Sequence, residues 1–214
     1  MSIIKGKRTR IRNPLKKEEQ LQKIITISRE LFLKDGNKMS MRELARQMNI
    51  AVSGLYRYVQ NKRELWFACA NKEFEKFSKD LDEIEQQHKG NDVLLLRKIG
   101  VYFFNLARNN FPLFNFMFLP TPSSSNKKKG PFELKSERAG FTNLFKITER
   151  AVSSGEIKKK NPLLLSLAIW GFVLGPAIIS SPMYSYFFDS FTEQIFNPNE
   201  YHEYILNLMK DILK

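Results

Sequence analysis

Residues 38–66 read KMSMRELARQMNIAVSGLYRYVQNKRELW. Ser40, followed three positions later by Glu43, has the form of a capping box. In that motif the hydroxyl accepts an amide of the first turn and the carboxylate reaches back. Met41, Leu44, Ala45 and Met48 then share one face of a short helix. Asn49-Ile50-Ala51 reads as a tight turn, because Asn tolerates the left-handed backbone. Val52 to Val59 is predicted as a second short helix with Leu55 and Val59, four apart, facing inward. Helix, three-residue turn and helix is the helix-turn-helix plan, which needs a further helix to pack on. The chain supplies one just before it. Leu21, Ile24, Ile25, Ser28, Leu31 and Phe32 form an apolar stripe over about residues 16–34, stopped by Asp35-Gly36-Asn37.

The outward side of the second short helix carries Ala51, Val52, Ser53, Gly54, Arg57 and Tyr58. Small residues at its start would let the backbone approach the floor of a DNA major groove. There Val52 suits a thymine methyl, and Ser53 suits a base edge or a phosphate. Arg57 is the one side chain in this set able to bond guanine in bidentate fashion. Tyr56, Tyr58, Lys62 and Arg42 suit phosphate oxygens, Lys62 lying near the amino end of the next helix, where anions are favoured.

The charge distribution agrees. The 214 residues carry 35 Lys and Arg against 22 Asp and Glu, a net +13. Residues 1–66 hold 16 basic and 6 acidic side chains, so most of the excess sits in the first third and a boundary falls near Trp66. Residues 1–17 form a basic arm in which Arg8, Arg10 and Arg12 stand without a neighbouring acid. Such an arm either remains solvated or follows DNA phosphates.

Elsewhere the pattern is helical throughout. Asn61 to about Gln87, Phe141 to Val152 and Tyr201 to Ile212 each carry an apolar face at helical spacing, and no segment sustains a period of two. The fold class expected is all-α, with about nine helices. Residues 120–131, PTPSSSNKKKGP, read as a flexible polar loop. Residues 161–188 carry no charge, and their apolar run is the length of a membrane span. Pro162, Pro176, Pro182, Gly171 and Gly175 favour a helix buried in the protein or at a subunit interface, without stable membrane insertion.

The rare residues restrict the chemistry. One cysteine, Cys69, and two histidines, His88 and His202, leave no CxxC site and too few ligands for an ordinary zinc site. No phosphate-cradling glycine loop or nucleophile elbow occurs. An enzyme is not expected, nor a cofactor or a metal. Residues 1–17 lack the apolar core of a secretory signal, so a cytoplasmic, nucleoid-associated location is expected.

The run from Leu21 to Trp66 resembles the DNA-binding domain of the TetR family of transcriptional regulators. The matching positions are Leu31-Phe32, Gly36, Met41-Arg42, Leu44-Ala45, Leu55-Tyr56, Tyr58-Val59, Asn61-Lys62 and Glu64-Leu65, with Ile50 and Val59 replacing the usual Val and Phe. Two departures stand out. Ala51 replaces a Ser or Thr that often caps the reading helix, and Gly54 replaces Thr or Ala. The resemblance implies a three-helix DNA-binding head (18–66) after the arm (1–17), and an α-helical ligand-binding and dimerisation bundle (67–214). It places Tyr56, Tyr58, Lys62 and Arg42 on phosphates, and Val52, Ser53, Gly54 and Arg57 nearest the bases. It further implies a homodimer whose last two helices form the subunit contact.

For that contact the apolar candidates are Leu167, Trp170, Leu174, Ile178, Tyr204, Ile205, Leu208 and Ile212. The second region is rich in Phe. Phe103, Phe104, Phe114, Met117, Phe118, Phe141, Phe145 and Trp170 are either an aromatic core or the lining of a pocket for an apolar or aromatic effector. The function expected is a dimeric regulator, acting as a repressor on an inverted-repeat operator and released by such an effector. Two alternatives accompany it. One is a protein of the same fold without a small-molecule inducer, engaged in chromosome organisation or controlled by a protein. The other is a basic membrane-surface protein.

Overall fold

The computed structural model describes residues 14–119, 122, 126–135, 139–158, 161–181, 184 and 196–213. Arg8, Arg10 and Arg12 of the basic arm, and part of the 120–131 loop, lie outside the described residues. Among those described the protein is all-α, with ten helices: α1 Pro14–Asp35, α2 Met41–Gln47, α3 Val52–Leu55, α4 Lys62–Gln86, α5 Asp92–Asn109, α6 Phe111–Phe118, α7 Pro131–Leu134, α8 Ala139–Ser153, α9 Pro162–Ile179 and α10 Pro198–Leu213.

The chain divides into two compact units. The first comprises the chain up to Cys69 together with Pro122–Leu134, and the second comprises Ala70–Thr121 with the chain from Lys135 onward. Sequence patterning placed the boundary near Trp66 and left 122–134 with the later region. The structure instead assigns that segment to the first unit.

In the first unit α1 buries Ile24, Ile25, Ser28, Leu31 and Phe32, the stripe expected from spacing. The hydroxyl of Ser28 is satisfied by the Ile24 carbonyl at 2.6 Å, so its burial leaves no orphan donor. Gly36 ends α1 at φ 54°, the left-handed geometry that favours glycine, and a short 3-10 turn follows over Gly36–Lys38. Only half of the capping box is present. Ser40 Oγ accepts from the Arg42 amide at 3.2 Å, but the Glu43 carboxylate turns along α2 to Arg46 at 2.7 Å and Gln47 at 2.9 Å. Those bonds hold the Glu43 carboxyl down at about 2.

Asn49 takes φ 51°, making the expected turn. The following helix is shorter than its pattern suggests. Regular α-structure stops at Leu55, and residues 56–58 continue as turns held by the Tyr58 and Val59 amides on the Leu55 carbonyl. Ala51 offers no side chain to cap this helix, and Gly54 in its single turn is the poorest helix former except proline. Leu55 and Val59 are nonetheless fully buried, so tertiary burial holds a helix that its local sequence does not.

The second unit is organised on α5, which contacts α6, α8, α9 and α10. Gly100 permits a close approach of α10, since a Cβ there would stand 2.6 Å from Leu206 Cδ2. The α5 start is fixed by polar contacts. Glu156 accepts the Asp92 amide at 2.7 Å, and Arg150 grips the Asp92 carboxylate at 2.6 Å while reaching Glu85 at 2.7 Å. Phe103 meets Phe114, Phe118 and Trp170 with ring centroids 5.0 to 5.3 Å apart.

Helix α9 is long and apolar enough to cross a membrane, at 18 residues and mean hydropathy 2.1. It packs on α5, α8 and α10 with Ser166, Ile169, Val173, Pro176 and Ala177 buried.

His202 on α10 stacks on Phe104 at 4.0 Å with the rings 9° from parallel. Burial, with Arg108 nearby, pushes its imidazole down to about 4, against a hydrogen bond to the Pro176 backbone. The folded protein therefore holds the ring neutral where an unfolded chain, at about 6.5, takes up a proton. Stability is full above pH 6.5 and falls as pH drops from there toward 4, by roughly 1–2 kcal/mol at pH 5. Urea denaturation at pH 7 and pH 5 checks this, and His202→Gln should remove that component of the pH slope whatever its effect at neutral pH.

A Cβ at Gly54 would meet its nearest neighbours, Arg57 and Ile50, at 3.8 Å, an ordinary contact distance. Gly54→Ala should accordingly raise stability by about 0.5–1 kcal/mol through helix propensity. A lowered denaturation midpoint would show that α3 needs the glycine for another reason.

Candidate nucleic-acid interface

The first unit gathers the side chains expected on the reading face, with differences. Ser53 and Arg57 are exposed, Tyr56 is 48% exposed, and Val52 and Tyr58 are half-buried. Arg42 is exposed at the start of α2. Gly54 is buried, and a Cβ there would stand 3.8 Å from both Arg57 Nη2 and Ile50 Cδ1. The helix that carries it is shorter than the expected Val52–Val59 and ends at Leu55.

Lys62 is half-buried, and its ammonium donates to the Asn37 carbonyl, tying the start of α4 to the turn after α1. Burial lowers its affinity for a proton. A lysine has three N–H donors, so this bond leaves others, but the residue has a structural role that its motif position did not reveal.

Residues from the middle of the chain complete this unit. Lys127 Nζ donates to the Gln60 carbonyl at 3.3 Å and stands 6.0 Å from the centre of the Tyr56 ring. Arg63 binds Glu133 through both Nε and Nη2, at 3.0 and 2.6 Å. That pairing raises the Arg63 pKa and lowers that of Glu133. Glu64 is almost wholly buried and accepts the Gln60 amide, while its own amide is capped by Asn61 Oδ1 at 2.8 Å. Gly130 lies directly against the Glu64 carboxylate, where a Cβ would come within 2.0 Å of Oε1. The lysine run 127–129 had the composition of a solvated loop, and the glycine after it was the one available sign of a close approach.

The second unit contains a cavity of about 30 Å³. Of the eight residues expected to line a pocket, Phe103 and Trp170 do so, beside Phe77, Leu81, Ile169 and Val173. Phe104, Phe114 and Met117 are buried as packing residues, and Phe118 meets Phe77 and Trp170 edge to face and Phe103 at a tilt. Phe141 and Phe145 are half-buried and do not line this cavity. They lie on α8, whose buried positions are instead Leu144, Ile147, Thr148 and Ala151.

The last two helices show an apolar outer face. Leu167, Tyr204, Leu208 and Ile212 are exposed, as are Leu163 and Leu164, which spacing did not single out. Trp170, Leu174 and Ile178 are half-buried. Ile205 departs from the expected set. It is buried within the protomer, because the inner face of α10 runs through His202, Ile205, Leu206, Met209 and Leu213.

No family model and no curated protein sequence matches this chain. Solved structures do. The FadR regulator of Bacillus subtilis, solved with stearoyl-CoA, superposes with a TM-score of 0.64 at 17% identity, covering 90% of this chain and 99% of that one. AibR, solved with isovaleryl coenzyme A and operator DNA, gives 0.62 at 18% identity, covering 88% and 97%. A TetR/AcrR-family regulator of Thermobifida fusca gives 0.60 at 15% identity, covering 92% and 99%. With a head of helix, turn and helix and an all-α second unit, the protein has the fold of TetR-type transcriptional regulators.

Proposed function

We propose that this chain is a sequence-specific DNA-binding transcriptional regulator, cytoplasmic and non-enzymatic, that acts as a homodimeric repressor on an inverted repeat. The observation that carries this reading is the exposed set Arg42, Ser53, Tyr56 and Arg57 around a buried helix-turn-helix core. Arg57 has the donors to read guanine, Arg42 and Tyr56 the chemistry to hold phosphate. Two such helices on one dimer would enter successive major grooves about 34–36 Å apart. The exposed apolar face of α9 and α10 is the surface through which two copies would meet, by burying Leu163, Leu164, Leu167, Tyr204, Leu208 and Ile212.

Selection of bound duplexes from a random library tests the reading. An inverted repeat should be enriched, and Arg57→Ala should weaken binding about 10- to 100-fold while relaxing the preference at one position of each half-site. Arg42→Ala should weaken all sequences alike. Leu167→Glu with Leu208→Glu should give monomers by light scattering and abolish selection of the paired half-sites. Binding without an enriched sequence would leave only a generic polyanion grip.

The effector side has two readings. The apolar and aromatic lining of the cavity, and the acyl-CoA molecules bound by two proteins of the same fold, favour release by a compound with an acyl chain. Binding would deplete the DNA-competent population in proportion to its differential affinity. The cavity volume favours a regulator without a small-molecule inducer, because about 30 Å³ is an order of magnitude below the ~300–1,000 Å³ of ordinary ligand pockets. Titrating acyl-CoA thioesters of graded chain length into the operator complex separates them. Chain-length-dependent release with a rise in melting temperature supports the effector, and neither response at saturating thioester supports the inducer-free form.

A further inference from the structure

The first unit contains a segment that the helix-turn-helix plan does not require. Asn126 to Lys129 are exposed and Gly130 is buried. Over these five residues the chain carries three positive charges and no acid. The segment is held at both ends of its described course. Lys127 is pinned to the Gln60 carbonyl and set beside the Tyr56 ring, and Glu133 is clamped by Arg63. Between these anchors Gly130 sits so close to the Glu64 carboxylate that a Cβ would force the carboxylate or the segment to move. Glu64 and Glu133 are the two acids at this junction, and both are occupied: one is buried beneath Gly130 and the other is paired. The lysines are thus built into the same surface as Tyr56, and the one acid of the anchored segment, Glu133, is taken up chiefly by Arg63, with Lys129 contributing to its field.

We propose that Lys127, Lys128 and Lys129 form a second DNA-backbone grip, extending the reading face beyond the helix-turn-helix. The inference rests on the DNA-binding reading above. Its chemistry is charge complementarity with phosphate and continuity with Tyr56. Lysine ammonium groups are point donors that hold phosphate without reading sequence, so the segment contributes affinity and salt dependence, while Ser53 and Arg57 retain the choice of site. Docking against Glu64 and Arg63 restricts where the lysines can be, which lowers the ordering cost of engaging a phosphate.

The test uses the full-length protein and measures affinity for its selected duplex and for an unrelated duplex between 50 and 300 mM salt. Lys128→Gln with Lys129→Gln should weaken both duplexes by similar factors and leave the selected sequence unchanged. The slope of log affinity against log salt should become shallower by up to about 3–4 for a dimer, at ~0.9 for each phosphate neutralised. Lys98→Gln with Lys146→Gln removes the same charge from exposed sites in the second unit and should leave the slope within error. Gly130→Ala keeps every charge but displaces the segment, and should also make the slope shallower. A melting curve run beside it identifies loss of the fold. Three results overturn the grip: an unchanged slope in the Lys128 and Lys129 variant, an equal loss in the Lys98 and Lys146 variant, or a loss of affinity confined to the selected duplex. If the unsubstituted protein binds no duplex at any salt, the DNA-binding reading itself fails, a result distinct from all three.

Discussion

The second unit depends on the burial of one helix. Eight of the 18 residues of α5 are buried, including Val93, Leu95, Leu96, Phe103 and Phe104, and no single neighbour can cover so wide an apolar surface. Helices α6, α8, α9 and α10 all pack on it. Gly100 sets how near α10 approaches, and the grip of Arg150 on Asp92 sets where the helix begins. The aromatic cluster around Phe103 follows from this arrangement. Rings from α4, α5, α6 and α9 converge because their helices are already held around the same axis.

The first unit solves a different problem. Its three short elements, α2, the Asn49 turn and α3, have little intrinsic stability, and α3 is a single turn without a side-chain cap. Burial of Leu44, Leu55, Val59 and Leu65 against the stripe on α1 holds them. Polar side chains are then left outside, where they meet solvent or a polyanion. Arg57 and Ser53 are exposed because Leu55 and Val59 are not. The exposed polar face is the complement of the core.

The covering of α9 follows the same principle. A run of uncharged residues specifies an apolar helix but not what covers it. In the structure its inner face is taken up by α5, α8 and α10, and Leu163, Leu164 and Leu167 remain exposed alongside the outer face of α10. The outer side of α10 mixes its apolar residues with exposed Glu203, Asn207 and Asp211.

Much of this architecture is determined locally and was therefore legible in the sequence. Helical periodicity located α1, α4, α8 and α10. Gly36 and Asn49 marked the turns because left-handed backbone favours those residue types. The exposure of Ser53 and Arg57 followed from the positions of Leu55 and Val59. Tertiary structure decided what depends on distance along the chain. Helix α3 stops at Leu55, short of its apolar pattern. Lys62 bonds a carbonyl 25 residues away, and Ile205 belongs to the core. The segment around Lys127 joins a unit whose sequence ends some 50 residues earlier. A composition of Ser, Asn, Lys and Gly carries no apolar period from which docking could be read. Its place is set by a glycine against a buried carboxylate and by one ion pair, contacts that exist only once the chain has folded.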